Sequence, residues 1–223
     1  MNTPLIDEVG FKERFLAALG EQAPERADLL ARHAWQVAVK NQVMNLTRIV
    51  DPKEMAIRHA LDSLTAVPIF MNTEDFAVES ALDLGTGAGW PGLALAIAIP
   101  HLNVTLLDAR KKKIIFLEEL VKDLGLSDRV TCVWSRFEDY IRPERKNFDV
   151  VLARAVGPIE RILNWCTNNW FGHLLLWKGP GVEDELDDCH KLLKSRQMEI
   201  VLDIPYQLPD DEVERRLILL EGK

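Results

Sequence analysis

Along the first seventy residues the apolar positions recur at helical spacing. Ile6, Val9, Leu16 and Leu19 mark one amphipathic stretch; Leu30, Ala34, Val37, Ala38 and Val43 mark a second. Asp51-Pro52 predicts a third helix, with Asp51 as N-cap and Pro52 at the first helical position, where a missing N–H costs nothing. Met55, Ile57, Leu61 and Leu64 follow on it before Pro68. From about residue 78 the period changes. Short apolar runs at 81–84, 104–108, 130–134, 148–153 and 174–177 alternate with helical stretches, two of which start at Pro91 and Lys111. That alternation predicts βαβ units and a mostly parallel sheet. The tail reads as two further strands, 199–204 and 215–220. The link between them is too short for a crossover helix, so they should pair antiparallel. The expected architecture is therefore α/β and Rossmann-like, a seven-stranded sheet with an antiparallel last strand. It divides into a helical extension over 1–75 and an α/β domain over 76–223.

Charge changes this picture only locally. The 223 residues carry 27 Lys+Arg against 35 Asp+Glu, a formal net charge of −8, which argues against a generally basic nucleic-acid binder. The distribution is uneven. Residues 1–75 hold 8 basic and 11 acidic side chains, residues 76–155 hold 11 of each, and residues 156–223 hold 8 and 13. The acid run at 183–188 reads as a solvated helix face. Lys111-Lys112-Lys113, with Arg110, is the densest basic run, and two readings stand for it: another solvated face, or contact with phosphates. Arg129, Arg136, Arg142, Arg145 and Lys146 add positive charge to the same third of the chain. Cys132, Cys166 and Cys189 are too few and too scattered for a disulfide framework or a CxxC metal site. With no signal peptide and no apolar run of membrane-spanning length, the expected address is the cytoplasm, with no membrane partner and no metal.

The chemistry-bearing stretch is Asp83-Leu84-Gly85-Thr86-Gly87-Ala88-Gly89-Trp90-Pro91-Gly92, at a strand-to-helix junction. Glycines there let the backbone approach a ligand closely. Two registers compete. Gly87-x-Gly89-x-x-Gly92 satisfies a dinucleotide fingerprint and points to an NAD-binding oxidoreductase. It starts late, however, and puts Pro91, which has no amide donor, into the turn that would cradle a pyrophosphate. Gly85-x-Gly87-x-Gly89 directly after Asp83 instead leaves room for an adenosine and a methionine tail, as a methyltransferase requires. In that register Asp83 orients the loop or meets an ammonium, and Asp108, ending the second strand, accepts from ribose hydroxyls. A strand-end acid serves either ligand.

Further motifs occur in a fixed order around this loop: Asn45-Leu46-Thr47, Arg58-His59-x-x-Asp62-Ser63-Leu64, Leu106-Leu107-Asp108, Lys113-x-x-Phe116-Leu117, Ser135-Arg136-x-Glu138, Phe148-Asp149-x-Val151 and Arg154-Ala155. Together, from about residue 30 to the end, they make the chain similar to the RsmG (GidB) family of bacterial 16S ribosomal RNA guanine-N7 methyltransferases. The resemblance implies a class I methyltransferase fold with an N-terminal helical extension, S-adenosylmethionine as donor, and a guanine of the 530 loop, position 527 of 16S rRNA, as acceptor. The implied partner is the small ribosomal subunit or its precursor, with a monomer as the expected state. By the same resemblance Gly85, Trp90, Phe137, Glu138 and Arg154 contact the cofactor. Trp90 stands where the family commonly has Leu or Phe, and 153–157 departs from the family's Ser-Arg-Ala-Phe pattern. A class I methyltransferase acting on a small molecule or protein remains the alternative within this fold.

Guanine N7 carries an exposed lone pair and needs no deprotonation, so rate should come from alignment and exclusion of water, with no catalytic base expected. The chain has no Pro-Pro pair for exocyclic amine chemistry and no cysteine after proline for carbon-5 chemistry. Arg154, after a strand end, could reach guanine O6, stack on the base or bind the cofactor carboxylate. Arg58 and His59, with Lys111, Lys112 and Lys113, are candidate RNA-side residues.

Overall fold

The computed structural model describes residues 7–71, 77–140, 148–165 and 171–222. The expectations for Ile6, Arg142, Arg145, Lys146 and Cys166 lie outside them. Two helices open the chain, α1 (Glu8–Leu19) and α2 (Ala27–Asn41). The face α1 buries is Phe11, Phe15 and Leu19, while Val9 points to solvent, as does Val43 beyond the end of α2. Asp51 caps α3 (Pro52–Met55), its carboxylate accepting from Lys53 N–H at 3.0 Å and Glu54 N–H at 3.1 Å. The helix then runs through a π-helical segment, Ala56–Leu61, into α4 (Asp62–Leu64), followed by α5 (Val67–Met71). Sequence periodicity predicts an unbroken α-helix here. His59 lies within this wider π turn and Asp62 directly after it, and such turns are common at functional sites.

The alternating half contains β1 (Ser80–Leu84), α6 (Gly92–Ala98), β2 (Asn103–Asp108), α7 (Lys111–Asp123), β3 (Val130–Trp134), α8 (Phe137–Tyr140), β4 (Phe148–Arg154), α9 (Ile159–Trp165), β5 (Phe171–Lys178), α10 (Val182–Ser195), β6 (Met198–Tyr206) and β7 (Arg215–Gly222). The sheet order is β3-β2-β1-β4-β5-β7-β6. β1 to β5 are parallel, and β7 runs antiparallel between β5 and β6. The order reverses between β1 and β4, where an open α/β sheet leaves a crevice at its strand ends.

Each face of the sheet has its own apolar cluster. Helices α1 to α5 and α6 to α7 share one with Val104, Leu106, Val150 and Leu152; α9 and α10 cover the other, with Leu82, Val151 and Leu176. The acid run does more than face solvent. Glu185 pairs with Lys178 at 2.6 Å and accepts from Ile159 N–H at 2.9 Å, fixing the start of α9, while Glu183 pairs with Arg216 at 3.0 Å. The edge strand β6 exposes Ile200, Val201, Leu202 and Ile204, and a register shift between Ile200 and Leu202 bends it away from regular pairing.

Candidate active site

The crevice at the ends of β1, β2 and β3 holds a cavity of about 210 Å³. Its floor is Leu84, Gly85 and Leu107; Phe137, Val156 and Trp165 give apolar walls; Asp108 and Glu138 supply carboxylates. This is the balance expected of a cofactor pocket, apolar surface with a few placed polar groups. Gly85 has φ +67, and a Cβ there would lie 3.4 Å from Val156 Cγ2, on the cavity wall. Asp108 holds the loop as well as lining the cavity. It accepts from Gly87 N–H at 3.2 Å and Arg110 N–H at 2.8 Å, with the Lys113 ammonium 3.8 Å away.

The other residues singled out from sequence fall in different places. Asp83 is fully buried beneath the loop, where Oδ2 accepts from Gly92 N–H at 2.9 Å. Burial pushes its carboxyl up to about 6, against the Gly92 hydrogen bond and the Arg154 charge. A Cβ at Gly92 would lie 2.6 Å from Asp83 Cβ, so this glycine serves close helix–strand packing. Gly89 faces His33 and Leu117.

Trp90 and Arg154 are not among the residues that line this cavity. The Trp90 indole is buried and stacks on His33 with ring centroids 3.9 Å apart; it lies near-parallel to His59 at 5.7 Å. It anchors the glycine loop to the N-terminal helices. Arg154 turns the same way. Its Nη1 donates to Asp62 Oδ2 at 2.7 Å, and its Nη2 lies 3.0 Å from His59 Nδ1. Asp62 also accepts from the Tyr206 hydroxyl at 2.7 Å, and Trp177 Nε1–H donates to the Asp62 carbonyl at 2.8 Å. The next residue, Ala155, has φ +56, sparsely populated by side chains other than glycine, and Val156 beyond it lines the cavity. The Asp62–Arg154 pair thus sets the loop that walls the site.

Both histidines are neutral. His33 Nε2 is 2.7 Å from the Ala88 carbonyl, an acceptor only, so Nε2 carries the proton. Arg154 can only donate to His59 Nδ1, so the His59 proton is on Nε2, toward Thr47 Oγ1 at 2.9 Å. Burial lowers His33 to about 4; burial, then the Arg154 charge, lowers His59 to about 3. Below pH 6.5 the unfolded chain takes protons that these folded histidines refuse, so stability falls with pH. Asp83 acts oppositely, binding its proton in the folded state from about pH 6, earlier than when unfolded. Two histidines outweigh one carboxyl, and stability should drop by about 2 kcal/mol between pH 7 and pH 5. Urea midpoints across that range measure it, and an unchanged midpoint would contradict neutral burial.

Arg58 pairs with Glu54 at 2.6 Å and lies 3.8 Å from Asp211. The lysine run separates into three environments: Lys111 lies over the Trp134 ring at 4.6 Å, Lys112 is exposed, and Lys113 faces Asp108. Sequence reasoning assigned no site role to Val156 or Trp165, which line the cavity, or to Asp62 and Tyr206, which brace it. For Asp62 the signal was its motif; for Tyr206, 144 residues away, none existed.

A seven-stranded sheet in this order, with a glycine turn and an acid-ended second strand at its switch point, is the fold of class I S-adenosylmethionine-dependent methyltransferases. The chain belongs to the GidB family, rRNA small subunit methyltransferase G, whose model matches residues 26–207. It is 37% identical over 199 residues to the ribosomal RNA small subunit methyltransferase G of Carboxydothermus hydrogenoformans, covering 87% of this chain and 83% of that protein. To its Lactobacillus acidophilus counterpart it is 38% identical over 186 residues, with 81% and 76% covered. Among solved structures it resembles the magnesium protoporphyrin IX methyltransferase of Synechocystis with bound S-adenosylmethionine, at TM-score 0.60, 14% identity and full coverage of both chains. It also resembles M. capricolum TrmK with S-adenosylhomocysteine, at TM-score 0.54 and 16% identity, covering 66% and 64%.

Proposed function

We propose that this methyltransferase transfers a methyl group to N7 of a guanine in the 530 loop of 16S rRNA, on the small ribosomal subunit or its precursor, in the cytoplasm. The observation that carries this reading is the family match over residues 26–207, joined to a cavity at the switch point lined by Asp108, Glu138 and apolar groups. Bound S-adenosylmethionine supplies an electrophilic methyl on a sulfonium. The N7 lone pair attacks it directly, so the protein need hold no proton acceptor there. Within the site, Asp108 and Glu138 would accept from ribose hydroxyls, Phe137 and Val156 would flank the adenine, and Gly85 leaves the space that a side chain would fill. Cys132 lies outside the cavity, and burial pushes its thiol up to about 12, which disfavours a thiolate nucleophile.

Recombinant protein with methyl-labelled cofactor should modify small subunits from a strain deleted for the gene. Reductive strand scission specific for 7-methylguanosine should map the label to the 530 loop. Label at another base, or at an exocyclic amine, would overturn the N7 assignment.

A further inference from the structure

We infer that Trp134 is a stacking platform for an unpaired base of the RNA substrate, with Arg110, Lys111, Lys112 and Arg136 holding the flanking phosphates; this rests on the RNA reading above. Trp134 ends the edge strand β3 and is 56% exposed, whereas Trp90 and Trp177 are buried and Trp35 and Trp165 half-buried. Its plane is fixed, because Nε1–H donates to the Ala109 carbonyl at 3.2 Å. A preset indole offers stacking area without the entropy cost of ordering a side chain, and it accepts any base because every base has a π face.

Four cations lie near it or its partner Ala109 in sequence, with the exposed carboxylates Glu138 and Asp139 following Arg136. Arg110, Lys111, Lys112 and Arg136 are exposed, and among the described residues none makes an ion pair, unlike Arg58, Arg154, Arg215 and Arg216. The Lys111 ammonium instead rests over the indole, 4.6 Å from its centroid, and a base stacking on that face displaces it toward the adjoining phosphate. The one carboxylate of segment 108–113 is Asp108, which is buried and already engaged by two main-chain N–H groups and Lys113. Unpaired cations around a fixed aromatic plane match a single strand, whose phosphates and bases alternate. The position suits threading. Ala109, Ser135 and Arg136, which flank the platform, also line the cofactor cavity, so a strand crossing this edge stays beside the site where a flipped guanine must enter.

The test is fluorescence-anisotropy titration of a labelled ten-nucleotide oligouridylate, alone and as a duplex with oligoadenylate. Wild type should prefer the single strand. Trp134→Leu should weaken that binding about tenfold while keeping S-adenosylhomocysteine affinity within about twofold. Lys112→Ala and Arg136→Ala should each lower the slope of log K against log salt by about 0.7. Wild-type affinity in Trp134→Leu would overturn the platform, as would loss of self-association in sedimentation with RNA binding intact, which would assign the indole to a protein contact. Photocrosslinking of 5-bromouridine RNA to the wild-type protein needs no variant. Crosslinks at Trp134 support the platform, and crosslinks only elsewhere overturn it. If Trp134→Leu methylates small subunits as well as wild type, the platform fails and the rRNA reading stands. If wild type leaves the 530 loop unmodified yet oligouridylate binding depends on Trp134, the reverse holds.

Discussion

Asp62→Ala should destabilise the protein by about 3–5 kcal/mol, the cost of leaving a buried ion-pair partner alone. The carboxylate is the meeting point of three elements. It accepts from Arg154 at the end of β4 and from Tyr206 at the end of β6, with Arg215 Nε of β7 3.9 Å away. Both charged side chains are largely shielded, with exposures of 14% for Arg154 and 10% for Asp62, so water cannot replace the lost partner. Urea denaturation should show the loss, equivalent to roughly 6–20 °C in Tm for a chain of this size. Asp62→Asn keeps an acceptor for one donor and should recover part of it. Because Arg154 precedes Ala155 and Val156, S-adenosylhomocysteine affinity should fall in the same variants. A loss below about 1 kcal/mol would place the pair in the class of exposed ion pairs and remove its bracing role.

Gly85→Val should reduce S-adenosylhomocysteine affinity at least about a hundredfold. Two effects combine: a β-branched residue is a genuine outlier at positive φ, costing on the order of 1–3 kcal/mol, and its methyls would enter the cavity beside Val156, where the Cβ alone lies 3.4 Å away. Calorimetry on the purified variant, with circular dichroism to confirm folding, separates the two. A folded variant that still binds would show that the cofactor does not cross Gly85, and that the register starting at this glycine is wrong. Gly89 makes a useful contrast. Its added Cβ would press on His33 and Leu117, away from the cavity, so Gly89→Ala should act on stability.

Much of this protein was legible in its sequence, because the signals are local. The period shift near residue 78, the short link at 206–214 and the glycines after Asp83 depend on neighbours a few positions apart, and the mostly parallel sheet and antiparallel ending agree with them. The family motifs likewise led to the GidB family before any geometry was known. What sequence could not decide was direction. Trp90 and Arg154 hold family motif positions, yet their side chains turn toward His33, His59 and Asp62, because helices well upstream in the chain supply the stacking partners and the buried carboxylate. The lysine run is one word in sequence and three environments in space. The helix starting at Lys111 aims Lys113 at Asp108, sets Lys111 over Trp134 from the neighbouring strand, and leaves Lys112 in solvent. Composition and period determined which elements form and where the cofactor loop lies, since those follow from local propensity and burial. Which side chains wall the site, which brace it and which face a partner was decided only by tertiary packing, since long-range pairs such as Asp62 with Tyr206 leave no trace in local sequence.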